Sequence, residues 1–203
     1  MKIHILFGMI GFILLSGCNR AAEKNPRFYD AGVSRELAGH RKAQIKNLKY
    51  ELSFNIPRQK EVAIEGDITL RFDLASRQEV LIDFREEREK IKEVIANGVP
   101  VDKVRFENEH IILPASSTVE GANGIRIRFT AGNQSLNRND EYLYTLLVPD
   151  RARTVFPCFE QPNLKAEFTL QLELPADWKA VSNTYIRSET VTDDRKTVCF
   201  APT

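Results

Sequence analysis

Strict two-residue alternation of apolar and polar side chains limits what this 203-residue chain can become. Tyr50, Leu52, Phe54 and Ile56 alternate with Glu51, Ser53 and Asn55, and Pro57 stops the run. Ile64, Ile68, Leu70, Phe72 and Leu74 alternate with Glu65, Asp67, Thr69, Arg71 and Asp73. Phe168, Leu170, Leu172 and Leu174 alternate with Glu167, Thr169, Gln171 and Glu173. Successive strand side chains point to opposite faces, so each run is a half-buried β-strand. Shorter runs follow the same logic: Val80 to Phe84, Ile125-Ile127-Phe129, Ala180 to Asn183, Tyr185 to Thr192 and Thr197 to Phe200. Asn97-Gly98 between Val94-Ile95-Ala96 and Val99-Pro100-Val101 predicts a hairpin. Val104 to Phe106 and His110 to Leu113 predict another around Glu107-Asn108-Glu109. Ser34 followed by helix formers to Ala43 predicts one short N-terminal helix whose charges form a solvated face. The expected fold is all-β: an antiparallel β-sandwich or saddle-like sheet. Its inward faces include Leu52, Phe54, Ile68, Leu70, Phe72, Ile127, Phe129, Phe168, Leu170 and Leu172.

A hydrophobic content of 42% suffices for a packed core. The net charge of +1 gives no global basic field to attract nucleic acid. The N-terminus has a separate logic. Lys2 is followed by the apolar run Ile5 to Leu15, which suits a signal-peptide core and is too short to span a bilayer. The run closes on Leu15-Ser16-Gly17-Cys18, which resembles a bacterial lipobox. That resemblance implies a signal peptide over residues 1–17, lipidation of Cys18, a tether over 18–33, and a domain over 34–203. It places the protein in the bacterial cell envelope, lipid-anchored on the periplasmic or extracellular side. Cys158 and Cys199 remain, either as a disulfide, which that compartment permits, or as buried free thiols.

One loop stands out: Arg153-Thr-Val-Phe-Pro-Cys-Phe-Glu-Gln-Pro162, followed by Lys165-Ala166 and an alternating strand. With Trp178-Lys-Ala-Val-Ser-Asn183 and the strands Tyr50–Pro57 and Glu65–Phe72, it resembles the N-terminal β domain of the aminopeptidase N family of zinc metallopeptidases. The resemblance covers about residues 33 to 203. That family removes N-terminal residues from peptides. Its zinc polarises the scissile carbonyl and activates a water, with a glutamate as base. The ligands come from a His-Glu-x-x-His motif and a later glutamate. This chain has only His4, His40 and His110, none with a histidine four residues on, and both later histidines read as surface residues.

The chain is therefore expected to hold no zinc, a cofactor of the full-length family, and no catalytic residue. It reads as a non-catalytic domain, cut short at its C-terminal end, that helps shape a substrate cleft. Its expected partners are a catalytic domain, a peptide substrate in the full-length enzyme, and a membrane through the lipid. A stand-alone lipoprotein binding module reusing the fold is the alternative. Phe156, Pro157, Phe159, Glu160 and Gln161 are the expected cleft wall, with packing of the domain's own core as the competing assignment. Cys158 in apolar surroundings, without a neighbouring histidine, is a poor nucleophile. The family's loop residue that binds the substrate's α-amine falls on Val148, which cannot accept a hydrogen bond. Asp140, Glu141 and Asp150 are nearby substitutes.

Mass spectrometry of the mature N-terminus should find a lipid-modified Cys18 as its first residue. An unmodified, soluble protein contradicts the lipobox.

Overall fold

The computed structural model describes residues 26–102 and 104–203. The signal-peptide and lipobox expectations lie outside the described residues. A 3-10 turn, Pro26–Tyr29, leads to helix α1 (Arg35–Gln44). Ser34 caps the helix by accepting the Leu37 N–H on its hydroxyl at 3.1 Å, as the local sequence predicts. Thirteen strands follow among the described residues: β1 (Ile45–Asn55), β2 (Glu65–Leu74), β3 (Val80–Asp83), β4 (Ile91–Ala96), β5 (Val99–Pro100), β6 (Arg105–Glu107), β7 (His110–Leu113), β8 (Gly121–Thr130), β9 (Leu136–Arg138), β10 (Leu143–Thr145), β11 (Glu167–Pro175), β12 (Ile186–Thr192) and β13 (Arg195–Phe200). The fold is all-β with one short helix. No described helix is long and apolar enough to cross a membrane.

An eight-stranded sheet runs in the order β12-β13-β11-β1-β2-β8-β4-β5. Its inner face carries the predicted apolar set: Leu52, Ile68, Leu70, Phe72, Ile127 and Phe129 are buried. Its outer face is polar and cross-linked, with Arg71 on Glu51 at 2.7 Å and Arg126 on Asp67 at 2.6 Å. A three-stranded sheet, β3-β7-β6, covers part of the inner face. All four residues of β3 and of β7 are buried. One face of this small sheet gives Val80, Ile82, Ile111 and Leu113 to the main core. The other gives Leu81 and Ile112 to a second cluster with Leu37 of α1 and the rings of Phe28 and Tyr29. Strands covered on both sides lose their alternation, which is why Val80 to Ile82 and Ile111 to Leu113 read as continuous apolar runs.

Both predicted hairpins form. Asn97 and Gly98 take φ values of 52° and 82°, and Asn108 and Glu109 take 47° and 70°. These left-handed pairs suit a tight two-residue turn between right-twisted strands.

The large sheet is mostly antiparallel, as expected, with one parallel pair: β1 and β11, with Leu52 opposite Leu170 and Phe54 opposite Leu172. A strand returning after a long excursion can enter beside its partner in either direction, whereas a hairpin forces the antiparallel one. Residues 180–183 form no strand; the chain re-enters the sheet at Ile186. A two-stranded unit, β9–β10, was not foreseen. Phe168, Leu170 and Leu172 do pack against the core, but only part-buried. Residues at the end of the expected tether also lie on the domain: Phe28 and Tyr29 join the second cluster and Gly32 is buried.

Gly66 of β2 faces the Phe129 ring, and a Cβ there would sit 2.3 Å from the ring's Cζ. Phe54 and Phe84 hold that ring edge-on, with centroids at 6.1 and 5.8 Å, so it cannot yield. Gly66→Ala should cost about 1–3 kcal/mol. That corresponds to a Tm loss of about 2–4 °C per kcal/mol for a domain of this size. Gly124→Ala, whose Cβ meets nothing nearer than 3.8 Å, should leave Tm nearly unchanged. Calorimetry of the two variants checks the contrast.

Candidate functional site

The loop from Ala152 to Leu164 is where the three layers meet. It opens with a 3-10 turn, Ala152–Thr154, and then runs along the small sheet. Asp83 and Cys158 form an isolated antiparallel bridge, with N–H to O distances of 2.8 and 3.0 Å. Phe156 lies edge-on to Phe54 and to Phe168, each with a centroid distance of 6.4 Å. Phe159 meets Phe72 edge-on at 5.5 Å, and its N–H donates to the Tyr50 hydroxyl at 2.8 Å. Gln161 reaches α1, donating from Nε2 to the Ala38 carbonyl at 3.1 Å. Phe156, Pro157, Phe159 and Gln161 are thus buried inside this domain, and Glu160 is half-buried. The outward positions here are Pro162, Asn163 and Lys165.

At the centre lies Asp83, fully buried. Arg41 of α1 grips it with both terminal nitrogens, at 2.8 Å to Oδ2 and 2.6 Å to Oδ1, and Nη2 also donates to the Leu81 carbonyl at 2.8 Å. His110 Nδ1 lies 2.9 Å from Oδ1, and the Glu160 N–H donates to Oδ2 at 2.8 Å. The other histidine nitrogen, Nε2, lies 2.9 Å from the Asp30 carbonyl. The His110 ring thus bridges the Asp83 carboxylate and the Asp30 carbonyl. Burial pushes the Asp83 carboxyl up, but the Arg41 charge and the hydrogen bonds from His110 and Arg41 outweigh it and hold the group at about 2. The Arg41 guanidinium also lies 5.2 Å from the centroid of the Phe159 ring.

This network corrects two expectations. His110 is not a surface residue; none of it is exposed. Arg41 is not part of a solvated helix face, because α1 turns it into the core while Lys42 stays outside. A carboxylate set between Ile82 and Phe84 in a fully apolar run was the one sequence signal for the site, since a charge there needs partners. His40 is part-buried, its ring tilted against Phe28 with centroids 4.8 Å apart and its Nε2 2.7 Å from the Gln78 side-chain oxygen.

Cys158 and Cys199 are free thiols. Burial pushes the Cys158 thiol well up, and the Glu160 and Asp83 carboxylates add to the rise, so it stays protonated. Burial likewise raises Glu160, although its carboxylate accepts the Arg153 N–H at 2.8 Å. Arg153 also pairs with Glu109, which holds Arg85 at 3.1 Å.

A second surface lies just upstream. Tyr142, Tyr144, Leu146 and Val148 occupy alternate positions of an extended segment through β10, and are 56%, 51%, 50% and 70% exposed. The two tyrosine rings lie 6.0 Å apart. Arg138 of β9 pins the unit to the sheet through the carbonyls of Pro57, Gln59 (2.8 Å) and Val62 (3.3 Å). Single exposed apolar residues are ordinary; four within seven residues are a local concentration of exposed apolar surface.

The family described as Peptidase M1 N-terminal domain matches residues 46–203. The chain belongs to this family. It is 32% identical over 165 residues to an aminopeptidase N of Streptomyces lividans, covering 74% of this chain and 19% of that protein. A shorter stretch of 59 residues is 39% identical to aminopeptidase 2 of Saccharomyces cerevisiae, covering 29% of this chain and 6% of that protein. Among solved structures, an M1 zinc metallopeptidase of Deinococcus radiodurans superposes with a TM-score of 0.65 at 19% identity. That match covers 77% of this chain and 38% of the other, and at this identity it speaks for the fold alone. The chain therefore spans about a fifth of its Streptomyces relative and under two-fifths of the Deinococcus chain.

Zinc does not fit the residues of this M1 domain that the structure describes. Among them no group of three or more His, Cys, Asp or Glu side chains is placed to hold a metal ion. Both nitrogens of His110 are engaged, and a catalytic zinc needs three protein ligands around an open position.

The sign of the acid response follows from Asp83. Its carboxyl is held at about 2 against an ordinary 3.8, so its stabilisation is present above about pH 4 and is lost as pH falls from 4 towards 2. The loss amounts to roughly 2 kcal/mol. Asp83→Asn should remove that slope and, by stranding Arg41 in the core, cost about 3–5 kcal/mol at pH 7. Urea midpoints of both proteins from pH 7 to pH 2.5 check both effects.

Proposed function

We propose that this domain is the non-catalytic N-terminal part of a lipid-anchored zinc aminopeptidase that removes N-terminal residues from peptides. The observation that carries the proposal is the Peptidase M1 N-terminal match over residues 46–203, a domain whose longer relatives include aminopeptidases. In such an enzyme zinc supplies the Lewis acid and lowers the pKa of the attacking water, and its ligands stand on another domain. The work of this chain is architectural. The Phe156–Gln161 loop is clamped on three layers, so whatever borders it meets a rigid support. Its buried side chains act as backing for the cleft wall, and Glu160 is the member of the set nearest to solvent.

The row Tyr142, Tyr144, Leu146 and Val148 is the contact surface offered to the catalytic domain and its peptide. Val148 stands where the family resemblance places the residue that meets the substrate's amine. An aliphatic side chain there contributes apolar area and no charge. The domain shapes the cleft by contact, and recognition of the amine falls to groups outside Val148. The Cys18 lipid places the enzyme on the envelope membrane, a reading supported by Leu15-Ser16-Gly17-Cys18 at the end of the apolar run.

Reading the gene beyond the codon for Thr203 should reveal a His-Glu-x-x-His frame. The enzyme that frame encodes should cleave alanyl or leucyl anilides and lose activity to a chelator. Residues 1–203 alone should show neither tight zinc binding nor turnover; stoichiometric zinc with chelator-sensitive turnover in this chain would overturn the proposal. Leu146→Asp with Val148→Asp should change stability of the isolated domain by less than about 0.5 kcal/mol, both sites being exposed. The same pair in the complete enzyme should raise KM for peptides.

A further inference from the structure

Strand β10 pairs with β9 on one side only. The Asn139 N–H donates to the Tyr142 carbonyl at 3.0 Å and the Leu146 N–H to the Ser135 carbonyl at 3.0 Å. Both bonds continue the register in which Tyr144 lies opposite Asn137. Hydrogen-bonded and non-hydrogen-bonded pairs alternate along an antiparallel ladder. Tyr142, Tyr144 and Leu146 therefore aim their backbone groups at β9, and Leu143 and Thr145 aim theirs the other way. Among the described residues, the N–H and C=O groups of Leu143 and Thr145 have no hydrogen-bond partner. The Leu147 carbonyl accepts the Arg151 N–H at 2.9 Å, which ends the open stretch.

The surroundings of this edge suit an added strand. Thr145 is exposed and Leu143 half-buried. Tyr144 and Leu146 stand exposed on one face of β10, while Leu143 and Leu147 pack on the core from the other. A strand laid beside β10 would set alternate side chains against Tyr144 and Leu146. The local charge has one sign: Asp140 and Glu141 precede the edge, Asp150 follows it, and residues 139–150 include no Lys or Arg. Lys60 reaches Asp140 at 3.1 Å and Arg153 reaches Asp150 at 3.4 Å. Glu141 is exposed and, among the described residues, has no ion pair.

We infer that this edge takes an extended peptide as an added antiparallel strand, with the peptide's amino end toward Val148. The choice of a peptide as occupant rests on the aminopeptidase reading. An antiparallel peptide satisfies all four open groups with two residues, one opposite Thr145 and one opposite Leu143. A parallel one would need three residues spread over five positions, and its bonds would be slanted and weaker. Recognition runs through the main chain, so it is indifferent to most side chains. The antiparallel direction brings the peptide's ammonium toward Asp150. It also carries the far end toward Asp140 and Glu141, which repel a terminal carboxylate and favour an amide, a longer chain or a basic side chain there.

The test uses the full chain as a bacterial host processes it, isotope-labelled for amide exchange by NMR, with tetraalanine amide as the probe. Exchange of the Leu143 and Thr145 amides should slow about fivefold at a peptide concentration about four times its Kd. The Tyr144 amide, which already faces β9, should not change. With the second peptide residue opposite Thr145 and the fourth opposite Leu143, N-methylation of either should abolish the protection. N-methylation of the third, whose N–H points away from β10, should leave it. Tetraalanine with a free carboxylate should bind about threefold more weakly at low salt, and the difference should vanish in about 0.5 M salt. Thr145→Pro removes one open N–H without touching the β9 ladder, and should abolish protection of Leu143. If that variant folds badly, the methylated peptides decide the matter without it. Unchanged exchange at both amides up to about 20 mM peptide, well above a millimolar Kd, overturns the added strand. So does equal protection by all three methylated peptides. Either result leaves the aminopeptidase reading standing. Protection in the predicted pattern, where no His-Glu-x-x-His frame follows Thr203, supports the edge and overturns that reading alone.

Discussion

A buried carboxylate, Asp83, is the constraint on which the arrangement of layers depends. Taking a charge out of water costs several kcal/mol, and the cost is met only when hydrogen bonds saturate the group. Asp83 has four hydrogen bonds from three places: two from Arg41 on the helix, one from His110 on the neighbouring strand, and one from the Glu160 backbone in the loop. Each donor is anchored in turn, Arg41 by the Leu81 carbonyl and His110 by Asp30. Removing any one leaves a charge unmatched in the core. The helix, the small sheet and the Phe-Pro-Cys-Phe loop therefore take one mutual position, where apolar contact alone would tolerate several.

Around that hub the apolar packing does the bulk of the stabilising. Phe54, Phe84, Phe129, Phe156 and Phe168 form a chain of tilted and edge-on contacts running from the small sheet to β11. Because the loop turns its aromatics inward, it meets the outside through Glu160, Pro162 and Asn163. Four of the large exposed apolar and aromatic side chains lie on the alternate positions of Tyr142 to Val148. A fixed support and an apolar rim are what a domain needs if its task is to border another domain's chemistry.

The same hub reaches the segment before α1. His110 secures Asp30 and so holds that segment on the domain surface. A polar, aperiodic segment reads as a linker throughout, yet its last third is structural because a buried imidazole needs an acceptor.

Much of the fold was legible in the sequence because a period of two is a local property. The faces of β1, β2 and β8, both tight hairpins and the Ser34 cap follow from nearest neighbours and backbone sterics alone, and the Phe-Pro-Cys-Phe motif carried the family. What the sequence could not reveal was non-local. The parallel entry of β11 beside β1 depends on where a long excursion ends, and the part-burial of Phe168, Leu170 and Leu172 depends on which surfaces reach that strand. His110 and Arg41 looked solvated because polar residues usually are. Only the tertiary structure brought three distant stretches around Asp83, since burial is decided by which surfaces meet and not by which residues are neighbours along the chain.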